Sequence, residues 1–501
     1  MTISEQINQP EYYQPQIIAW RDIWQFVAAL IAAIFSGFVC EQGWPGSIIT
    51  LAPALVFGLL ILRQSFIGWS RSILLVACLN FISLSAVLIE PGLLNLAIGW
   101  VTLSAFAFVQ NDGALGNLLN IGKATVSSFF ETPMNFLSDA RKVKAFRAQN
   151  GWRGKIFSLA NILLPLTAII VFGILLIIAN PLIEETVLQL SWLDPSTHLL
   201  TWMPLISLLS FTVLFSVLKL KPSLNQKSEL VSEKFWAAPF FEPIPVIFTL
   251  VILNLMFASE NILDLRYLWS GTSLPSGMNY AEYVHRGSYT LIVTAILAGA
   301  LMIFALQPGS QNETSKPLRG LVYLWTLQNL FLVASSAKRT LDYVEVYGMT
   351  LWRLSGLIWM GLVAAGLILI VLRVILKRDS LWLLNSNLIT AYIVLLICSF
   401  SNFSKITANW NVIRSVQHIK PTSIYQTLDI DLDYLADLGA SALPAIHKLY
   451  VTSNGNKNLL IDYKPASDEI SIVANRITAE LHKSQSNWRT WTLRGAMLEA
   501  Q

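Results

Sequence analysis

Three short stretches hold the side chains whose types and spacing suit chemistry. The first is Glu260, Asp264, Arg266 and Tyr267. The second is Glu282, His285 and Arg286, which share one face if they lie on a helix, because residues three and four apart are neighbours there. The third runs from Lys338 and Arg339 through Asp342, Tyr343, Glu345 and Tyr347 to Arg353, and the same spacing lets Arg339 reach Asp342 and Tyr343. Guanidinium groups present forked donors that fit a carboxylate or phosphate. An imidazole titrates near neutrality and, beside a carboxylate, suits proton transfer. Two readings therefore stand side by side. In one, Arg266, Glu282, His285, Arg286, Arg339, Asp342, Tyr343 and Arg353 converge on an anionic ligand, with Arg266, Arg286, Arg339 and Arg353 as the clamp. In the other, the same residues cap helix ends, snorkel and pair with each other. No catalytic residue is assigned.

The elements that must position these residues follow from composition. The chain has 501 residues, of which 54% are apolar and 13% charged, with a mean hydropathy of +0.56. Soluble proteins carry about 25% charged residues, so the surface that would face water must face lipid. That excludes a soluble single domain, a disulfide scaffold, a coiled coil and a disordered chain. A net charge of +4 over this length gives no reason to expect a nucleic-acid partner. Cys40, Cys78 and Cys398 lie in apolar runs without metal-ligand spacing, so they read as packing residues, and neither a metal nor a cofactor is expected. The polar start, Met1 to Tyr13, lacks the order of a cleaved signal peptide, so the first apolar run is expected to remain as an anchor.

A helix needs about 20 apolar residues to cross a hydrocarbon core of about 30 Å. The expected fold class is all-α, a polytopic transmembrane bundle. Its expected spans lie near Ile23–Cys40, Ile48–Leu62, Ile73–Leu88, Leu93–Phe108, Phe157–Ile178, His198–Leu218, Pro245–Leu263, Tyr289–Leu306, Leu321–Ala337, Leu354–Leu372 and Leu388–Phe403. Cytoplasmic loops are rich in Lys and Arg. One set of alternate loops holds 19 cations and the other only five, Arg266, Arg286, Lys338, Arg339 and Arg353. The N-terminal tail, 1–22, is thereby placed in the cytoplasm. An odd span count puts everything after the transmembrane region, 23–406, on the opposite side.

Two regions outside the spans carry their own patterns. A cytoplasmic loop at 110–156 interleaves Phe129, Phe130, Phe136 and Leu137 with polar residues before a basic stretch, Arg141 to Arg147. That pattern suits interfacial helices on anionic lipid, or simply a topology anchor. The segment 407–501 reads as a small helical soluble domain. It has a helix over Leu432–Leu449 that Pro444 perturbs or splits, with Asp429 or Asp431 in its first turn. A turn at Asn454-Gly455-Asn456 leads to a second helix over Glu469–His482.

At the charged stretches the chain resembles a family of bacterial integral-membrane proteins, domain of unknown function 4173, close to the 4153 group. The resemblance rests on Pro275-Ser-Gly-Met-Asn-Tyr-Ala-Glu-Tyr-Val-His-Arg-Gly287 and on Arg339-Thr-Leu-Asp-Tyr-Val-Glu-Val-Tyr-Gly-Met-Thr-Leu-Trp-Arg353. It rests also on Asn411 and Arg414 ahead of Asp431-Leu-Asp-Tyr434-Leu435. It covers about 240–450 and implies a polytopic bacterial inner-membrane protein, with no activity to carry over. The expected function is binding of a polar or anionic ligand, a small molecule or lipid headgroup, in an outer-face pocket roofed by the C-terminal module, in a sensing or envelope role. A transporter using Asn80, Asn161, Asn254 or Gln328 is the first alternative. A membrane transferase or hydrolase with His285 as base is the second. The bilayer is the one partner the residues require.

Overall fold

The structure is a computed structural model, and it describes residues 20–40, 44–65, 69–112, 117–132, 202–220, 243–270, 315–422, 425–455, 458–462 and 464–500. The chain divides into two compact units, residues 1–115 with 121–222, and residues 116–120 with 223–501.

In the first unit, α1 (Trp20–Val39), α2 (Leu51–Ser65), α3 (Arg71–Ile89), α4 (Leu93–Asp112) and α5 (Trp202–Leu218) are helices of almost unbroken apolar sequence. Ser70 caps α3, its hydroxyl accepting from Ile73 N at 3.3 Å. Helices α1 and α5 meet at Gly37, where a Cβ would fall 1.9 Å from Ser207 Oγ. Only glycine permits that approach, a packing device typical of membrane helices. Buried polar side chains tie the other helices together. Asn80 Nδ2 donates to Thr102 Oγ1 at 3.1 Å between α3 and α4, and Gln110 Nε2 donates to Leu60 O at 2.6 Å between α4 and α2. In the basic loop, residues 118–132 are helical and Phe130 is exposed. Phe136, Leu137 and the cations from Arg141 onward lie outside the described residues.

The second unit holds α6 (Pro243–Asp264), α7 (Lys316–Tyr347), α8 (Leu351–Leu376) and α9 (Ser380–Phe400). A core of Leu250, Leu318, Val322, Trp325, Leu367, Ile370 and Leu383 joins all four. Pro317 sits in the first turn of α7, where its missing N–H costs nothing. The turn between α8 and α9 is made by Lys377 in the left-handed region, φ 51°. Asp379 caps α9, and Arg373 donates to Ser380 Oγ at 3.0 Å.

Six of the described helices are long and apolar enough to cross a membrane: α3, α4, α6, α7, α8 and α9. Three shorter apolar helices, within Gln25–Val39, Ser47–Leu62 and Ile206–Leu218, coincide with further expected spans. The expected spans at Phe157–Ile178 and Tyr289–Leu306 lie outside the described residues. The apolar surface of these helices is turned outward. Little of α9 is buried, and Phe81, Phe248, Leu255, Leu327 and Ile397 are all more than 60% exposed. A water-soluble fold would bury such residues. The all-α membrane class therefore stands.

The C-terminal segment departs from the expected purely helical module. It contains α10 (Phe403–Gln417), α11 (Leu432–Asp437), α12 (Leu443–Asn454), α13 (Ala466–Ser486) and α14 (Leu493–Glu499). It also contains a four-stranded sheet in the order β1 (Lys420–Thr422), β2 (Tyr425–Thr427), β3 (Leu459–Ile461), β4 (Lys464–Pro465). The outer pairs are antiparallel, and β2 runs parallel to β3 with Gln426 opposite Leu459. Strands of two or three residues are too short to show an alternating pattern, and the parallel pair joins residues far apart in the chain. The expected helix over Leu432–Leu449 is divided at Gly439, whose φ of 68° interrupts the α-helix, and Pro444 occupies the first turn of α12. Asp431 caps α11, accepting from Tyr434 N at 2.8 Å. Leu435, Ile446, Leu449, Ile470 and Ile477 form the segment's core with Ala408 and Val412 of α10.

Candidate functional site: a buried ion pair and a clasped turn

The site begins with the pairing of α6 and α7. Asn254 Nδ2 donates to Leu321 O at 3.2 Å, and one heptad further along, Asn261 Nδ2 donates to Gln328 O at 3.4 Å. Equal steps in the same direction mean that the two helices run parallel. At Asp264 the α-helix gives way to a π-helical turn, Leu265–Trp269, closed by Ser270 N on Leu265 O at 3.1 Å. This wider turn carries Trp269 back onto α7, where its indole N–H donates to Ser335 Oγ at 3.0 Å and its ring stacks on Phe331 at 5.9 Å.

Arg339 forms an ion pair with Asp264 across the two helices, and the side chains are 2% and 1% exposed. Side chains on a helix lean toward its N-terminus, so Arg339 reaches back along α7 toward the level of Asp264. Glu260, one turn earlier on α6, lies within electrostatic reach of the same guanidinium. Two full charges enclosed among apolar helices are tolerated where each neutralises the other.

The other named residues are placed as follows. Asp342 pairs with Lys338, Nζ to Oδ2 at 2.8 Å, both about one-third exposed. Arg339 itself turns to Asp264, a partner outside its own helix. Arg266 is exposed on the π-turn. Tyr343 packs on Tyr347 at 4.6 Å between ring centroids, and the Arg353 guanidinium lies 4.4 Å above the Tyr343 ring. Arg353 Nη1 also donates to Tyr347 O at 3.2 Å and to Gly348 O. Glu282, His285 and Arg286 lie outside the described residues.

The sequence marks Gly348 as a helix stop but gives no role to Asn411, Arg414 or Tyr434, which hold the turn between α7 and α8. Gly348 ends α7 with φ 80° and ψ 168°, and Thr350 caps α8 by accepting from Arg353 N at 3.3 Å. Asn411 of α10 clasps the turn in a two-point contact, its Oδ1 accepting from Met349 N at 2.6 Å and its Nδ2 donating to Met349 O at 2.9 Å. Arg414 donates to Glu345 O and Val346 O, both at 2.5 Å, and so fills carbonyls left open at the end of α7. Tyr434 Oη accepts from Leu351 N at 2.9 Å. Two blocks quoted for the resemblance thus meet in space, Tyr347–Arg353 from the spans and Asn411, Arg414 and Tyr434 from the C-terminal segment. Their motif spacing was visible, but their partnership was not.

Residues 26–449 match a family described as Domain of unknown function (DUF4153). No curated protein and no solved structure matches the chain.

Proposed function

The chain belongs to the domain of unknown function 4153 family, and from that premise we propose a bacterial inner-membrane protein that binds a polar or anionic ligand where α6 and α7 end. The reading has eleven spans, a cytoplasmic N-terminus and the C-terminal module on the outer side. The charge count of 19 cations against five supports this arrangement. So does the parallel run of α6 and α7, since both then start from the same, cation-rich face.

The observation that carries the reading is the enclosed Asp264–Arg339 pair at an α-to-π transition. Ionisable groups at membrane depth are rare, and they mark substrate or ion paths, proton relays and ligand counter-ions. The reading takes Arg266 and Arg286, two of the four arginines of the clamp, as the ligand's contacts, with the ion pair fixing the helix end that carries Arg266. A sensing or envelope role fits an outer-face site.

The test uses purified full-length protein in neutral detergent, with thermal unfolding followed in sodium phosphate, in phosphatidylglycerol and in sodium chloride of equal ionic strength. A bound anion at ten times its dissociation constant adds about 1.4 kcal/mol of stability. That gain should disappear in Arg266→Gln/Arg286→Gln while the chloride control is unchanged. Equal unfolding temperatures under all three conditions would overturn the reading.

One observation favours transport as a second reading. Asn254, Asn261 and Gln328 place three carboxamides along the α6–α7 seam, inside helices long and apolar enough to cross a membrane. Substrate flux in proteoliposomes that is lost in Asn254→Leu would raise it.

A further inference from the structure

Three of the four exposed residues of α10 are apolar where a water-facing helix would be polar. Thr407, Ala408, Val412 and Ser415 point into the protein, while Ile406, Trp410 and Ile413 stand 47%, 41% and 44% exposed on the opposite face. Their spacing of four and three residues makes one continuous stripe.

The position of α10 says what covers this stripe. Its N-terminus follows the last apolar helix, α9, after only Ser401 and Asn402. Asn402 makes the bend, its Oδ1 capping α10 through Lys405 N at 3.0 Å and its Nδ2 donating to Ser441 Oγ at 3.0 Å. The other half of α10 is bonded to the α7–α8 turn through Asn411 and Arg414. Both ends of α10 are therefore fixed at the same end of the helix bundle. The α8 helix has 26 residues and α9 has 21, so at 1.5 Å per residue the α7–α8 turn stands only about 7 Å beyond the end of α9. Over that small rise, α10 covers about 17 Å from Phe403 to Arg414. It lies across the bundle end rather than continuing outward. Trp352, at the start of α8 beside this turn, is 89% exposed.

We propose that α10 is an interfacial helix, with Ile406, Trp410 and Ile413 seated in the headgroup and upper acyl region and Trp352 anchored at the same depth. Tryptophan gathers at this level because its ring is apolar and its N–H is not, and an amphipathic helix in the interface plane buries one face only a few ångströms deep. The inference rests on α7 to α9 spanning the bilayer and not on any ligand, so the anion-binding reading can fail without it. It also gives the clasped turn a consequence. A change in how α10 sits in lipid reaches Met349 and the end of α7 through Asn411 and Arg414.

The experiment places a nitroxide label at Ile413→Cys in full-length protein carrying Cys40→Ser, Cys78→Ser and Cys398→Ser. The protein is held as single copies in nanodiscs of phosphatidylcholine and phosphatidylglycerol. Collision with oxygen is compared with collision with a water-soluble nickel chelate, using labels at Ile393→Cys on α9 and Glu480→Cys on α13 as lipid and water references. The Ile413 label should show an oxygen-to-nickel ratio at least about two-fold above the Glu480 label, as expected for a helix seated in the interface. A ratio equal to that of the Glu480 label, or shielding from both agents by protein, would overturn the proposal. A second measurement keeps the native cysteines: a diazirine-bearing residue at position 413 should give lipid adducts on illumination, and protein adducts alone would count against the assignment.

Discussion

Removing one member of the Asp264–Arg339 pair is the perturbation whose size follows most directly from the structure. With side chains 2% and 1% exposed, neither charge can turn to water when the other is lost. Asp264→Asn or Arg339→Leu alone should therefore cost about 3–5 kcal/mol, the range found when a buried pair is broken by deleting one partner. Replacing both together, Asp264→Leu/Arg339→Leu, removes the stranded charge as well as the attraction, and such replacements range from neutral to stabilising by about 1–4 kcal/mol. The singles and the double should thus fail to add by several kcal/mol, the signature of direct contact. Titration of the full-length protein with a denaturing detergent in bicelles, followed by tryptophan fluorescence, would measure all three variants. Single variants that each lose less than about 1 kcal/mol, and that add in the double, would mean that water reaches the pair. The reasoning from enclosure would then be wrong.

Further outcomes follow from the turn and from the outward apolar faces. Gly348→Ala should destabilise by about 1–3 kcal/mol, because φ is 80° and the new Cβ would lie 3.0 Å from Asn411 Oδ1; an unchanged unfolding midpoint would show that the turn relaxes freely. Asn411→Ala strips both hydrogen bonds from Met349 and should cost about 1–3 kcal/mol, and combined with Gly348→Ala it should cost less than the sum. Cys78 is exposed on α3, a helix long and apolar enough to cross a membrane. A charged maleimide should leave it unlabelled in intact membranes and label it after solubilisation in SDS; rapid labelling in membranes would put α3 against water at that point.

Much of the fold was legible because its physical cause is local. A helix in hydrocarbon must satisfy its own backbone and present apolar side chains all round, so runs such as Arg71–Ile89 and Leu351–Leu376 announce themselves without reference to any neighbour. Caps and breaks are equally local. Gly348 as a helix stop, Asp431 at a helix start and Pro444 in a first turn all depend on a few adjacent residues.

Tertiary structure decided how these elements meet. Spacing within one helix offered Asp342 to Arg339, yet Arg339 turns to Asp264, 75 positions away, and leaves Asp342 to Lys338. The reason is the surroundings: a charge facing the core needs a partner that is also enclosed, whereas a partly exposed lysine can hold a partly exposed aspartate. The small sheet escaped for a similar reason, since β2 and β3 owe their pairing to segments joined only when α10 to α13 close around one core. The sequence by itself determined a membrane chain with its unusual charges gathered at the helix ends. Only the packing of α6 on α7, and of α10 on the α7–α8 turn, decided which of those charges are enclosed and what each one holds, because burial belongs to the assembled surface and not to any residue alone.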